Sequence, residues 1–335
     1  MSNSWDTVVG ELSLFTFVVG VVGNTLLLVY FLSSRSWRHR LSDTLYLLIC
    51  LVDLVIMLFH LPASLSLLAG RRPGPLFGSV WFCDVWGVVW NTAVRLSIFL
   101  IALLSCSRTL ILLRPFRRVS RRVVLGLAGT YLLFQLLLAS LPWWFNKHYI
   151  YNSSTVVCGW GAEALVPFPS TSYTLYFLWR SVLEFLLPLL AIFPCCLLSI
   201  YSLYKGCRAA SGCPDHKNSA TVTIILLTLA YLAFNAPLAV VVTLNLYSIA
   251  TYSPPGVFHD FFSWDPSFYT FIFCTVSSVV LNAATNPILF FCRVRAVRDW
   301  VRVRAPCREG RRESGIPMVS MIQLATPQLA LHVTP

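Results

Sequence analysis

Apolar residues run along this chain in seven long blocks, at about 8–32, 44–69, 80–112, 121–143, 174–204, 217–248 and 266–291. Polar or Pro/Gly-marked segments separate them. A bilayer core about 30 Å thick is crossed by roughly 20 residues of helix. Each block reaches that length and several exceed it, which predicts tilted helices or helices that run past the bilayer. The pattern predicts an all-α fold, a seven-transmembrane helix bundle over 8–291 preceded by a short segment 1–7. A charged, periodic stretch over 292–304 follows, with Val294, Val297, Trp300 and Val301 as its apolar members. That is the pattern of a short amphipathic eighth helix lying on anionic inner lipid through its arginines. Residues 305–335 read as a flexible cytoplasmic tail.

Composition agrees with this pattern. The 335 residues are 57% hydrophobic and 11% charged, against about 45–50% and about 25% in soluble proteins. So few charges could not cover the surface of a soluble domain, and the same numbers exclude an intrinsically disordered chain. The net charge of +12 would suggest nucleic acid in a soluble protein. Its distribution gives another reading. One set of connecting segments holds Arg35, Arg38 and Arg40, then Arg108, Arg114, Arg117, Arg118, Arg121 and Arg122, then Lys205, Arg208 and Lys217. The C-terminal tail adds Arg293, Arg295, Arg298, Arg302, Arg304, Arg308, Arg311 and Arg312. The opposite set holds only Arg71, Arg72 and Lys147. Lys and Arg are retained on the inner side, so the N-terminus is expected outside and the C-terminus inside. Nucleic acid becomes an unnecessary partner. No basic segment precedes span one, and the span is too long for the apolar region of a cleavable signal, so it is expected to insert as its own anchor.

Eleven cysteines cannot all pair. Cys50, Cys106, Cys195, Cys196 and Cys274 fall within spans, where they read as small buried apolar residues. Cys83 starts span three and Cys158 lies in the long loop after span four. Both face the oxidising side, which permits a disulfide pinning that loop over the third helix. Asn152-Ser153-Ser154 in the same loop is a glycosylation sequon. Cys292 and Cys307 lie just inside the membrane among arginines and are palmitoylation candidates, or unmodified thiols.

Motifs along the spans then resemble those of the rhodopsin-like (class A) G-protein-coupled receptors. Helix 1 carries Gly23-Asn24, and helix 2 carries Leu51-Val52-Asp53 with Pro62 nine residues on. Helix 3 carries Cys83 and, 25 residues later, Arg108, with Pro115 and Phe116 beyond it. Helix 5 has Pro188, helix 6 has Pro237, and helix 7 ends in Asn286-Pro287-Ile288-Leu289-Phe290. The resemblance spans about 8–304. Departures accompany it. Ser107 stands where the family usually has the acid beside the arginine, and Lys217 stands where some members have an acid at the start of helix 6. Asn235 replaces the usual Trp two residues before Pro237, Cys196 replaces a Tyr, Phe290 replaces a Tyr, and helix 4 lacks its usual Trp. The inner salt bridge of the family therefore cannot form, and a divergent orphan receptor is implied.

Charge inside a bilayer is costly and needs a partner or a purpose. Four residues are the clear cases: Asp53, Arg95, Arg180 and Glu184. The resemblance places Asp53, Ser97, Asn282 and Asn286 at a sodium site that would stabilise an inactive state; otherwise Asp53 is a protonated or water-bonded packing residue. Arg180 and Glu184, four apart, share a face of helix 5. An Arg95–Glu184 pair is expected, either as a structural ion pair or leaving Arg180 free for an anionic ligand group. His60, Trp86, Trp90, Tyr176, Trp179, Phe185 and Asn235 are further pocket candidates, although an aromatic stripe can equally be packing or an interface belt. Amine receptors resembling this one need a carboxylate where Trp90 stands, and opsins need a lysine where Val280 stands, so both ligand types are disfavoured.

The implied mechanism is a population shift between two packings of the bundle. Pro62, Pro188, Pro194, Pro237 and Pro287 remove backbone donors inside helices, and Pro188, Pro237 and Pro287 are hinge candidates. An extracellular peptide or small molecule would favour a state with an open inner cavity. There Arg108 and Phe116, with Pro115 beside it, would meet the Gα subunit of a heterotrimeric G protein. Arrestin and receptor kinases are further implied partners, with Ser314, Ser320, Thr326 and Thr334 as available hydroxyls. The expected location is the plasma membrane, multi-pass, with no cofactor beyond a Na⁺ ion. Competing readings are a non-signalling decoy or scaffold, suggested by Ser107 and Asn235, and a transporter, for which no internal repeat is visible. An enzyme is least favoured: no nucleophile–base set is present, and His39, His60, His148, His216, His259 and His332 lack metal-ligand spacing.

Overall fold

The computed structural model describes residues 4–69, 79–113, 120–144, 149–152, 157–160, 187–209, 222–223, 225–235, 266–293, 297 and 299–300. Its helices in chain order are α1 (Ser4–Ser34), α2 (Leu41–Leu68), α3 (Val80–Leu113), α4 (Arg121–Trp144), α5 (Leu187–Ala209), α6 (Ile225–Asn235) and α7 (Pro266–Arg293). Among the described residues these seven helices follow one another in the order the apolar blocks predict. Within α1 to α4, the segments Thr7–Ser34, Leu41–Leu68, Val80–Leu113 and Arg121–Leu141 are each long and apolar enough to cross a membrane. The described parts of α5, α6 and α7 contribute the shorter apolar helices Leu190–Ser202, Ile225–Asn235 and Ser277–Cys292.

The bundle is built inside out relative to a soluble protein. On α1, Val8, Leu12, Phe15, Val18, Val22, Leu26, Val29 and Leu32 recur every three to four residues and stand exposed. The opposite stripe buries Ser13, Thr16, Asn24, Leu27 and Phe31. Lipid is as apolar as leucine, so no hydrophobic drive sorts apolar side chains inward; small and polar residues go to the helix contacts, where they allow close approach. Helix α3 is the hub and packs against α2, α4 and α5. Helix α1 packs against α2 and α7.

Gly23 shows how close these contacts are. A Cβ at this position would lie 2.7 Å from Cγ of Pro287 on α7. A proline ring cannot swing aside as a long side chain would. Gly23→Val should therefore cost about 1–3 kcal/mol by overpacking, read as a lowered thermal-unfolding midpoint of the detergent-solubilised protein. An unchanged midpoint would show that α1 and α7 can part there freely.

Three features differ from the sequence expectation. Helix α1 starts at Ser4, about a turn before the apolar block that begins near residue 8; a helix can run past the bilayer wherever its residues tolerate water. The link after α1 contains a 3-10 turn, η1 (Ser36–Arg38), entered through Arg35 in the left-handed region at φ 51°. The loop after α4 holds a hairpin of β1 (Tyr149–Asn152) and β2 (Val157–Trp160). Its strands are antiparallel, with Tyr151 opposite Cys158 and Asn152 opposite Val157. Tyr, Ile and Val favour extended backbone, but four-residue strands are too short to stand out from a helical background.

Candidate functional site

The polar residues of the bundle fall into three groups along its axis. At one end of α3, Cys83 is joined to Cys158 of β2, with Cα atoms 5.3 Å apart. The bond fastens the hairpin to α3. Nearby, the Trp86 and Trp90 rings stack with centroids 5.4 Å apart, and His60 of α2 stacks on Trp90 at 5.7 Å. Trp86 donates its indole N–H to the carbonyl of Phe59. His60 is fully buried and its Nε2 lies 2.7 Å from Oγ of Ser13, which also meets Oγ of Ser64 at 2.7 Å. This group ties α1, α2 and α3 together. Ser13 carries no charge to mark it in the sequence, although a serine on the inward stripe of a lipid-facing helix is a signal of its own.

One turn further, Arg95 is buried, and its guanidinium Nη2 donates to Oδ1 of Asn91 at 3.2 Å. Asn91 in turn donates to the carbonyl of Gly87 at 2.6 Å. An amide one turn away is a partner that the expectation of a carboxylate leaves out. Arg180 and Glu184 lie outside the described residues, as do Tyr176, Trp179 and Phe185.

The middle group centres on Asp53 of α2, which is fully buried. Ser97 of α3 donates to its Oδ1 at 3.0 Å, and Nδ2 of Asn286 of α7 donates to its Oδ2 at 2.7 Å. One carboxylate thus links three helices. Asn24 of α1 extends the link by donating to the carbonyl of Ala283 at 3.0 Å. Among the described residues, Oδ1 of Asn282 and Oδ1 of Asn286 are buried without a hydrogen-bond partner. Two carboxylate oxygens, a hydroxyl and two orphaned amide oxygens form a donor set that suits a hard cation, which takes oxygen ligands.

The third group lies at the other end of α3. Ser107 bonds its own helix, donating to the carbonyl of Leu104 at 2.9 Å. Arg108 reaches across to α2, where Nη2 donates to Oγ of Ser42 at 2.9 Å. The Ser42 hydroxyl lies 3.5 Å from Oδ1 of Asp43. Beside this contact runs a seam of hydroxyls. Ser105 meets Thr228 of α6 at 3.0 Å, and Thr109 donates to the Cys195 carbonyl at 3.0 Å and meets Ser199 of α5 at 3.0 Å. The Cys106 and Cys195 sulfurs are 3.2 Å apart across the same α3–α5 contact. Pro115, Phe116, Lys217 and Pro237 lie outside the described residues.

Other candidates are placed as follows. Pro188 is the second residue of α5 and is buried; Pro62, Pro194 and Pro287 lie inside α2, α5 and α7. Asn235, the last described residue of α6, is buried, with Nδ2 donating to the Tyr231 carbonyl at 2.9 Å. Phe290 packs edge-on against Tyr46 at 4.2 Å and against Phe31 at 5.9 Å, so a ring without a hydroxyl serves here as apolar packing. Asn152 closes β1. Cys292 is exposed near the end of α7, and Cys307 is outside the described residues. Past α7, Val297 is fully buried and Trp300 meets Tyr30 of α1 edge-on at 5.7 Å.

Comparison with known proteins places this arrangement. The profile of the 7 transmembrane receptor (rhodopsin family) matches residues 23–290. The D(1B) dopamine receptor of Rattus norvegicus is 26% identical over 132 residues, a match covering 38% of this chain and 27% of that receptor. With most of its length matched, from the Gly23-Asn24 pair on α1 to Phe290 on α7, the chain belongs to the rhodopsin family of seven-transmembrane receptors.

Proposed function

We propose that this receptor binds an extracellular ligand at the Cys83 end of the bundle and activates a heterotrimeric G protein through a cavity at the Arg108 end. One observation carries the reading. Arg108 is held on α2 by Ser42, so the guanidinium is fastened in the resting packing and freed for a partner when α3 and α2 move apart. The α3–α6 contact of Ser105 and Thr228 would open in the same movement. Freed, Arg108 would meet the C-terminal segment of Gα, with Phe116 filling an apolar recess on it. Ser107 and Asn235 favour a second reading, a non-signalling decoy or scaffold, which predicts no nucleotide exchange under any ligand. A transporter gains no support from the sequence, in which no internal repeat is visible.

The orientation is part of the proposal: N-terminus and hairpin outside, Arg108 inside, in the plasma membrane. The Lys/Arg asymmetry supports it, as does a disulfide at the end called external. Asn152 would carry a glycan, Cys292 or Cys307 an acyl chain, and residues 292–304 would form the inner surface helix, for which Val297 and Trp300 give anchoring contacts on the bundle. Arrestin and receptor kinases would act on the inner face. The ligand is a peptide or small molecule other than a simple amine: Trp90 is buried in an aromatic stack where an amine site would need a carboxylate.

Na⁺ would be held by Asp53, Ser97, Asn282 and Asn286, and there it supplies a positive charge to a buried carboxylate and favours the resting packing. Asp53→Ala removes the carboxylate and leaves the Asn286 amide and the Ser97 hydroxyl without their acceptor. Each loss costs about 1–3 kcal/mol. Thermal unfolding in NaCl and in choline chloride should show Na⁺ stabilisation of the wild type and none of Asp53→Ala. Equal response of both proteins to Na⁺ would refute the site.

A further inference from the structure

Cys106 of α3 and Cys195 of α5 take no part in the mechanism above, yet the fold brings them together. Their sulfurs are 3.2 Å apart, although the residues are 89 apart in sequence. Carbon atoms in packing contact sit about 3.5–4.0 Å apart, and sulfur is the larger atom. The contact is therefore a directed S–H···S bond rather than apolar packing. Both thiols are half-exposed, whereas Cys50 and Cys196 are buried. Among the described residues Cys106 meets Cys195 and not the adjacent Cys196.

The surroundings hold the pair in register. The Thr109 hydroxyl lies 2.9 Å from the Ser105 carbonyl oxygen of α3 and 3.0 Å from the Cys195 carbonyl oxygen of α5. One hydroxyl bridging two backbone carbonyls marks a close crossing of the helices. That is the condition for a disulfide, whose Cα atoms lie about 4.4–6.8 Å apart. Thr109 also meets Ser199 of α5 at 3.0 Å, and Ser105 meets Thr228 of α6 at 3.0 Å. Closing an S–S bond of about 2.05 Å needs an approach of only about 1.2 Å.

We infer that Cys106 and Cys195 form a reversible redox modification site, a thiol pair that a hydroperoxide converts into an α3–α5 disulfide. One sulfur attacks the peroxide, the O–O bond breaks, and a sulfenic acid forms with release of water or an alcohol. The second sulfur attacks the sulfenic sulfur, the S–O bond breaks, and the S–S bond forms with release of water. The pair loses two electrons and two protons, and the hydroperoxide takes up both. A resolving thiol already in contact captures the sulfenic acid before it oxidises further. A dithiol reductant reverses the step. Leu110 of α3 and Leu198 of α5, one turn on from each cysteine, are exposed, so the seam faces lipid. A hydroperoxide dissolved in the bilayer therefore reaches it as well as an aqueous one. The bond favours the packing in which the sulfurs touch. Cys106 lies two residues from Arg108, and its neighbour Ser105 contacts α6, so oxidation holds closed the seam that activation opens. This consequence rests on the proposed G-protein mechanism; the bond itself does not.

The test treats the full chain in nanodiscs with hydrogen peroxide or with cumene hydroperoxide, then alkylates free thiols and maps peptides by mass spectrometry. A Cys106–Cys195 cross-linked peptide that a dithiol reductant separates is expected. Cys196→Ala should keep it, and Cys106→Ala should lose it. Faster cross-linking by the apolar hydroperoxide would assign the oxidant to the bilayer, and faster cross-linking by hydrogen peroxide to the aqueous side. Free thiols under both reagents, separate sulfinic acids, or a bond to Cys196 would overturn the site. Oxidation should raise the unfolding midpoint of the wild type by about 5 °C and leave that of Cys106→Ala unchanged. A bond that forms without raising the midpoint would overturn the fastening of α3 to α5. In membranes, hydroperoxide should lower guanine-nucleotide exchange by the wild type toward the Arg108→Ala level, and Cys106→Ala should keep its untreated rate. Unaltered exchange by a cross-linked wild type would overturn the switch. Absence of exchange from every membrane would overturn the G-protein reading and the switch with it, while the mass and midpoint results still decide the bond.

Discussion

Cys83→Ser is expected to destabilise the protein by about 4 kcal/mol. The disulfide joins residues 75 apart in sequence, and in the chain-entropy account a closed loop of that size restricts the unfolded ensemble by this much. The folded state loses something as well. Cys158 is buried against α3, and without the bond the hairpin is held there by packing alone. At about 2–4 °C per kcal/mol for a chain of this size class, the unfolding midpoint should fall by about 10 °C. Cys158→Ser should produce the same fall, and the double variant should add nothing, because both substitutions remove one bond. A double variant twice as destabilised as either single one would mean that the two thiols act separately.

Ser42→Ala is expected to raise ligand-independent signalling about tenfold. In this chain the acid beside the helix 3 arginine is missing, and the contact that restrains Arg108 comes from α2. A hydrogen bond to a charged group contributes about 1.5–3 kcal/mol. If it exists only in the resting packing, its removal moves the equilibrium between packings by that differential alone, and the low end of the range is a factor of about ten. The same argument gives Ser42→Thr, which keeps the hydroxyl, near-wild-type basal activity. A silent Ser42→Ala in a chain whose activation is otherwise measurable would mean that Arg108 is restrained elsewhere.

The sequence was legible where physics is local or cumulative. About twenty mainly apolar residues leave little choice, so α2 (Leu41–Leu68), α3 (Val80–Leu113) and α4 (Arg121–Trp144) start and end within a few residues of their apolar blocks. Contacts between Asp53, Ser97 and Asn286 could be anticipated from the family resemblance, because a carboxylate in lipid must gather donors. Arg108 and Ser42 are 66 residues apart, and a serine at the start of a helix reads first as a helix cap; nothing local announces that it will face an arginine of another helix. The convergence of Arg38 and Arg121 on the Trp37 ring, at 5.4 and 5.8 Å from its centroid, was hidden for a similar reason. Its arginines were counted as topology signals, a role that needs only their side of the membrane and says nothing about their convergence on one ring. The hairpin was lost because short strands carry too little pattern.

The central claim is that α3 delivers Arg108 to a G protein. Its most direct measurement is guanine-nucleotide exchange on purified heterotrimeric G proteins by membranes carrying the wild-type chain, Ser42→Ala or Arg108→Ala at matched expression. Ser42→Ala supplies a raised basal signal without an identified ligand. The account predicts exchange by the wild type, more by Ser42→Ala, and the level of untransfected membranes for Arg108→Ala. Equal exchange by all three, or none above background from any of them, would contradict it.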